Sequence, residues 1–477
     1  METEHYDDII IGSGKAGKTL APALVAAGRK TALVERSSNM IGGGCINIAC
    51  IPTKTMVASA NVANIVQNSS KYGVEVSASM VDLVAVIRRK RSVVKSMHDM
   101  NLHNLETALG HELIIGTGRF VAPKIIEVID DRTTRVLTAE RFFINTGTHP
   151  LVPPVPGLKE AGFLTSESLL ELEQLPEHLI VLGSGYIGLE FAQMFRRFGC
   201  RVTVLGQSAQ ILSQQDPDMA IAVQKLLERD GIEFLLKTKV LKVDRVGVKP
   251  AVGTASPLKN RADNATKLQL QIADRKIELQ GSHLLVAVGR EPTTDGLSLA
   301  AAGVTTDVRG FIQVNDRLET NVPGIWALGD INGGPEYTHV SLDDCRIIKA
   351  NLIGGGNRSS QGRLIPSCLY IDPELAHVGL TETAARQQGY AIRVMKLDAS
   401  AIPRAITLGK TDGLLKAIVD TQTDRILGCS LLCHAAGETI STVQMVMQAQ
   451  MPYTVLRDGV LTHPTMTEGL NMLFSKL

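Results

Sequence analysis

Two stretches of the chain repeat one pattern of apolar and polar positions. Ile9-Ile10-Ile11 is a short apolar run, followed by Gly12-x-Gly14-x-x-Gly17, apolar positions at helical spacing to about Ala27, and a second run, Thr31-Ala32-Leu33-Val34, ending at Glu35. The order recurs as Leu179-Ile180-Val181-Leu182, Gly183-x-Gly185-x-x-Gly188, helical spacing through Arg197, and Arg201-Val202-Thr203-Val204-Leu205. Short apolar runs without alternation suit strands buried on both faces, and a strand, helix, strand order predicts parallel pairing. The expected class is α/β, with two Rossmann-like units.

Glycines at this spacing allow a tight turn and let backbone N–H groups approach a pyrophosphate at a helix N-terminus, while an acid some twenty residues on can bind ribose hydroxyls. Gly12, Gly14, Gly17 and Glu35 supply all of this in the first unit. Gly183, Gly185 and Gly188 supply the turn in the second, but its closing strand runs into Gly206-Gln207, with neither an acid for a 2′-hydroxyl nor an arginine for a 2′-phosphate. Two dinucleotides are expected, with NADH and NADPH both open.

Elsewhere the pattern marks boundaries. Asn145-Thr146-Gly147-Thr148-His149-Pro150, followed by Pro153, Pro154 and Pro156, reads as an exit from the first domain, and Leu284 to Pro292 as the return from the second. Residues 80 to 108 have helical apolar spacing, with Arg88-Arg89-Lys90-Arg91 expected on a solvated face. Residues 249 to 266 read as a polar loop, and 426 to 433 as a strand with Cys429 and Cys433 on one face. Four strand residues span about 13 Å, so these two cannot bridge each other. Cys200, Cys345 and Cys368 are expected to be packed thiols, and no metal site is expected.

The chain has 477 residues, enough for two to four domains. Its 49 basic and 48 acidic residues leave a formal charge of +1, which does not resemble the footprint of a nucleic-acid binder. No apolar stretch approaches the ~18 residues of a membrane span, and the acidic opening Met1 to Asp8 has the wrong polarity for a secretory signal. A small-molecule partner and a cytoplasmic location are expected. There, a disulfide is more often catalytic than structural.

Cys45 and Cys50 lie in Gly42-Gly43-Gly44-Cys45-Ile46-Asn47-Ile48-Ala49-Cys50-Ile51-Pro52-Thr53-Lys54. Taken alone, the spacing favours two unpaired thiols, since it matches no common zinc pattern. If the two pair, the segment cannot be a regular helix, because residues five apart stand about 8 to 9 Å apart on one. Pro52, which cannot donate to the Ile48 carbonyl and crowds it, is an expected source of distortion.

Together with Thr320-Asn-Val-Pro-Gly-Ile-Trp-Ala-Leu-Gly-Asp330, Arg290, and His463-Pro464-Thr465-Met466-Thr467-Glu468, these segments resemble the pyridine nucleotide–disulfide oxidoreductases, the family of glutathione reductase, lipoamide dehydrogenase and mercuric reductase. Lys15-Ala16-Gly17-Lys18, Cys45-Ile46-Asn47-Ile48 and Leu431-Leu432-Cys433 resemble more narrowly the reactive-chlorine-resistance flavoproteins, the hypothiocyanous acid reductases. Gly44 departs from the threonine usual before the first redox cysteine, and the chain ends Asn471 to Leu477 without the cysteine pair of a mercury relay.

The resemblance implies an FAD-binding domain at 1–150 and 284–350, an NAD(P)-binding domain at 151–283, and a C-terminal α+β dimerisation domain at 351–477. It implies electrons passing from NAD(P)H through FAD to a Cys45–Cys50 disulfide and on to a small thiol-reactive oxidant. Cys50 would be the flavin-proximal thiolate and Cys45 the solvent-side thiol. His463, oriented by Glu468, would be the acid/base for the other subunit of a homodimer. Lys54 and Glu190 would pair beside the flavin, and Tyr186 would cover the face where nicotinamide enters. Gly147, Asp330, Gly289 and Arg290 complete the cofactor contacts it implies. Hypothiocyanous acid is the expected oxidant. Reduction of Hg(II) or Cu(II), reduction of a low-molecular-weight disulfide, and a redox-sensing flavoprotein with little turnover are the alternatives.

Overall fold

The computed structural model describes residues 3–130, 133–246 and 265–476. Most of the polar segment at 249 to 266 lies outside them. The chain forms two compact units, one of Met1–Thr55, Ala85–Leu151 and Gly289–Arg363, the other of Met56–Val84, Val152–Val288 and Leu364–Leu477.

In the first unit a seven-stranded sheet holds the strand Thr3–Ile11 between Thr31–Glu35 and Thr134–Ile144, both parallel to it. Ile9, Ile10 and Ile11 face Ala32, Leu33 and Val34 on one side and Phe142, Phe143 and Ile144 on the other. All nine are buried, which is why the strand reads as an unbroken apolar run. The helix Lys15–Ala26 makes the crossover, and the short strand Ile325–Ala327 adds in parallel beside Thr134–Ile144. Gly12, Asn145 and Leu328 therefore follow the carboxyl ends of three parallel strands, the edge where open α/β sheets bind ligands.

The second unit holds a four-stranded parallel sheet in the order Ile232–Leu235, Arg201–Leu205, His178–Leu182, His283–Val286. It also holds a five-stranded antiparallel sheet in which Ile426–Cys433 pairs with Glu374–Gly379 and Leu414–Asp420. Cys429 and Cys433 lie in that sheet's core, and burial pushes both thiols up, that of Cys433 to about 12. The class is α/β with two Rossmann-like cores and a C-terminal α+β region.

One expectation needs correction. The helix over Leu83–Leu109 forms, but Lys90 is only 2% exposed and is not on a solvated face. It continues the stripe of Leu83 and Ile87, four and then three residues apart, and the helical period turns it inward although Arg88, Arg89 and Arg91 stay exposed. Among the described residues no helix is long and apolar enough to cross a membrane.

Candidate redox site

The first fingerprint is built by backbone contact. Gly12 has φ +101°, and a Cβ there would stand 2.4 Å from the Asn145 carbonyl oxygen; at Gly17 it would stand 2.2 Å from that of Gly12. Only glycine lets the helix pack this closely on its strand. Ser13 donates its N–H (2.9 Å) and its hydroxyl (2.7 Å) to Oε2 of buried Glu35, fixing the acid at the turn. The Gly17 amide donates to Asn145 Oδ1 and the Ala16 amide to Ser341 Oγ. Among the described residues the amides of Gly14 and Lys15 have no protein acceptor, so the turn offers donors that suit an anion such as the FAD pyrophosphate. Asn145 and Ser341 carry no motif of their own, and the sequence pattern missed both.

Gly43, φ +83°, packs on this turn so tightly that a Cβ would meet the Gly14 α-carbon at 2.6 Å. From it runs the short helix Gly44–Asn47, which breaks at Ile48 (φ −138°) before a helix of 18 residues, Cys50–Gln67, begins. Pro52 falls in the first turn of that second helix, where its missing N–H is no loss. The break brings the Cys45 and Cys50 side chains within hydrogen-bonding reach, and that contact, followed by burial, pushes the Cys45 thiol far up. The Thr338 hydroxyl and then Lys18 draw it down. Cys50 Sγ lies 3.6 Å from Thr338 Oγ1 and opens a helix, where negative charge is favoured. Both sulfurs thus share Thr338, a residue with no signal in the sequence. Next to Gly44 an added Cβ would meet only Ile48, at 3.7 Å, so packing does not impose that glycine.

Asp330 follows the strand Ile325–Ala327 in a turn that Asp344 clamps by accepting the Gly329 amide at 2.8 Å. Burial raises the Asp330 carboxyl, with nearby Arg290 opposing, and Thr148 Oγ1 donates to it from 3.5 Å. A half-buried carboxyl so weakly partnered fits a ligand rich in hydroxyls, as the ribityl chain of FAD is. Arg290 is held by Thr148, through its hydroxyl and its carbonyl, both at 2.8 Å. Gly147 (φ +68°) has open space where a side chain would be.

In the second unit Gly183 (φ +123°) would place a Cβ 2.2 Å from the Ala287 carbonyl oxygen, Gly188 one 2.1 Å from that of Gly183, while Gly185 faces open space. This is the same cradle, fit for a second dinucleotide. At Gly206 a Cβ would lie 2.8 Å from both Ser184 Oγ and Leu236 Cδ2, so a side chain there would need both to shift. Tyr186 opens the helix Tyr186–Phe198, and its hydroxyl accepts from Gln215 Nε2 at 3.2 Å beside Ser367 Oγ at 3.4 Å. Buried Glu190 accepts the Tyr370 amide at 2.9 Å. Gly289 (φ +140°) and Lys54 belong to the first unit, Glu190 and Tyr186 to the second.

His463 Nδ1 lies 2.7 Å from Glu468 Oε2, with the imidazole 69% exposed and the carboxylate 13%. The bond fixes the ring and turns Nε2 outward. Buried Met466, Leu470, Leu473 and Phe474 anchor this loop and the following helix, Gly469–Phe474, in the core of the second unit. Among the described residues no group of three or more metal-ligating side chains assembles.

The pyridine nucleotide-disulphide oxidoreductase family matches residues 6–344, and that family's dimerisation domain matches residues 365–473. The chain is 40% identical over 472 residues to the probable pyridine nucleotide-disulfide oxidoreductase RclA of Escherichia coli (strain K12), covering 98% of this chain and 99% of that one. It is 34% identical to a mercuric reductase of Bacillus cereus, covering 98% and 70%. Among solved structures it is similar to a Cu(II) complex of the HOCl-induced flavoprotein disulfide reductase RclA from Escherichia coli, with a TM-score of 0.88, 39% identity and 99% of each chain covered.

Proposed function

We propose, because this chain belongs to the pyridine nucleotide-disulphide oxidoreductases, that it uses NAD(P)H and FAD to reduce a small thiol-reactive oxidant, and that the oxidant is hypothiocyanous acid. Residues 1–150 and 284–350 would bind FAD, 151–283 NAD(P)H, and 351–477 would pair two copies. A supply of NAD(P)H implies a cytoplasmic enzyme. The observation that carries the reading is the approach of Cys45 and Cys50 to each other beside the first fingerprint turn.

Held at the turn of Gly12, Gly14 and Gly17, FAD would supply two-electron chemistry linking NAD(P)H to the Cys45–Cys50 disulfide. What the chain contributes is the dithiol and its surroundings. The Cys45 thiolate attacks the oxidant's sulfur, forming Cys45–S–SCN and releasing hydroxide, which takes a proton from solvent. The Cys50 thiolate then attacks the Cys45 sulfur, closing the disulfide, and the electron pair leaves with thiocyanate. Glu468 holds the His463 ring with Nε2 outward, where it can exchange a proton with Cys45 of a second copy.

Purified holoenzyme is expected to oxidise NAD(P)H rapidly with hypothiocyanous acid and poorly with oxidised glutathione or lipoamide. The reverse order refutes the narrow assignment and leaves the family intact. Metal-ion reduction is the second reading, supported by the mercuric reductase relative and by the Cu(II) complex of RclA; faster turnover with Hg(II) or Cu(II) than with hypothiocyanous acid selects it. Loss of the imidazole in His463→Gln is expected to lower kcat by about a hundredfold or more, the usual scale for a general acid/base. An unchanged kcat removes His463 from the mechanism.

A further inference from the structure

Two lysines, Lys15 and Lys18, flank the third glycine of the first fingerprint, and the function proposed above leaves both unused. Lys18 is one helical turn beyond Gly14, to whose carbonyl its amide donates at 3.0 Å, so it stands above Gly14 on the same face of the helix. The α-carbon of Gly14 is also the point on which Gly43 rests. Cys45, two residues beyond Gly43 on the helix Gly44–Asn47, is therefore carried toward the side chain one turn above Gly14. The fingerprint turn thus brings the backbone that carries Lys18 and the backbone that carries Cys45 to one corner.

The charges respond to each other. Burial, then Lys15, lowers Lys18 to about 8, while Cys45 opposes the shift; in turn Lys18 draws the Cys45 thiol down against Cys50 and burial. The Thr338 hydroxyl draws it down as well. Lys18 is half-buried, so its field is less screened than that of a surface lysine. A thiol is a nucleophile only as thiolate, and one pushed up by a neighbouring sulfur needs a nearby cation to attack near neutral pH.

We propose that Lys18 is a positioning residue for the attacking sulfur: its ammonium favours the thiolate form of Cys45 and balances the anion released when Cys50 closes the disulfide. The site would then prefer small oxidants that depart as anions. That preference rests on the oxidant reduction proposed above; the effect on Cys45 does not.

Alkylation separates the two. FAD-loaded enzyme is reduced with NAD(P)H and treated with iodoacetamide at pH 7, and mass spectrometry follows modification of the Cys45 peptide. Lys18→Met is expected to slow it about tenfold, the effect of raising a thiol by one pH unit. Lys18→Arg, which keeps the charge, is expected to stay within about twofold of the natural enzyme. If Lys18→Met loses flavin, Lys18→Gln replaces it as the neutral variant. Modification of the neutral variant at the natural rate overturns the proposal, and so does an Arg variant as slow as the neutral one, since that indicates packing and not charge. With hypothiocyanous acid, kcat/KM should follow the same order. Should the natural enzyme fail to reduce hypothiocyanous acid, the oxidant assignment falls, while alkylation still decides the role of Lys18.

Discussion

Serine in place of Cys45 or of Cys50 is expected to cut NAD(P)H-dependent reduction of every acceptor by about a thousandfold or more while flavin stays bound. A hydroxyl matches the thiol closely in size but cannot form or break the disulfide, so packing survives and the electron path does not. The two variants should differ in reactivity. Cys50→Ser leaves the Cys45 thiol relieved of the sulfur neighbour that pushes it up, so its alkylation at neutral pH should speed up. Cys45→Ser leaves Cys50 at a helix start beside Thr338, without the thiol of its redox partner. Steady-state turnover, flavin absorbance and alkylation of each variant provide the measurements. Retention of more than about a tenth of the turnover by either would show that the pair is not the path, given what loss of a nucleophile normally does.

The largest effect on stability is expected at Lys416, in the strand Leu414–Asp420. Its ammonium is 2% exposed and meets Asp216 at 3.0 Å, Asp218 at 3.0 Å and Glu382 at 2.9 Å. Asp216 also accepts the amides of Glu382 and Thr383, so one lysine joins the starts of the helices Pro217–Arg229 and Glu382–Gln387. Lys416→Met would leave these carboxylates crowded around a methyl group, with Lys396 still on Asp218. A loss of about 3 to 5 kcal/mol is expected, the usual result of removing one partner of a buried pair.

The pH dependence has a definite sign. Burial raises Asp216 and Asp218, but the Glu382 and Thr383 amides together with Lys416 outweigh it at Asp216, and Lys396 with Lys416 at Asp218; for Glu382 the bond to Lys416 is the largest influence, and it lowers the carboxyl. All three end below the ordinary carboxylate range. Their contribution is present above the unfolded values, near about pH 4, and is lost as pH falls through the depressed ones. Without the ammonium the carboxylates repel and take up protons more easily. The gap between the natural protein and Lys416→Met should therefore be widest near neutrality and narrow below about pH 4. Denaturant unfolding followed across that range tests it, and a gap that widens in acid contradicts the assignment.

Legibility differed from residue to residue for physical reasons. Gly12 and Gly17 could be found because a backbone contact near 2 Å forbids any other residue, and such a restriction leaves a fixed spacing in the chain. Glu35 could be found because it lies one crossover away from Ser13, to which it bonds. Thr338 reaches the sulfur of Cys50 from 288 residues away and Asn145 the Gly17 amide from 128, so neither belongs to a local pattern. Lys90 misled because a run of four basic residues cannot all face one way on a helix, and the buried stripe took the third.

Sequence alone determined the two nucleotide folds, because glycine sterics and apolar periodicity act within a few residues or one crossover, whereas the cysteine pair and the histidine–glutamate loop were legible only through the family resemblance of their segments. Only the tertiary structure decided which hydroxyl serves both sulfurs, which lysine's charge acts on Cys45, and which is enclosed by carboxylates. Those relations depend on distance in space, and side chains far apart in the chain become neighbours only once the sheets and helices have packed.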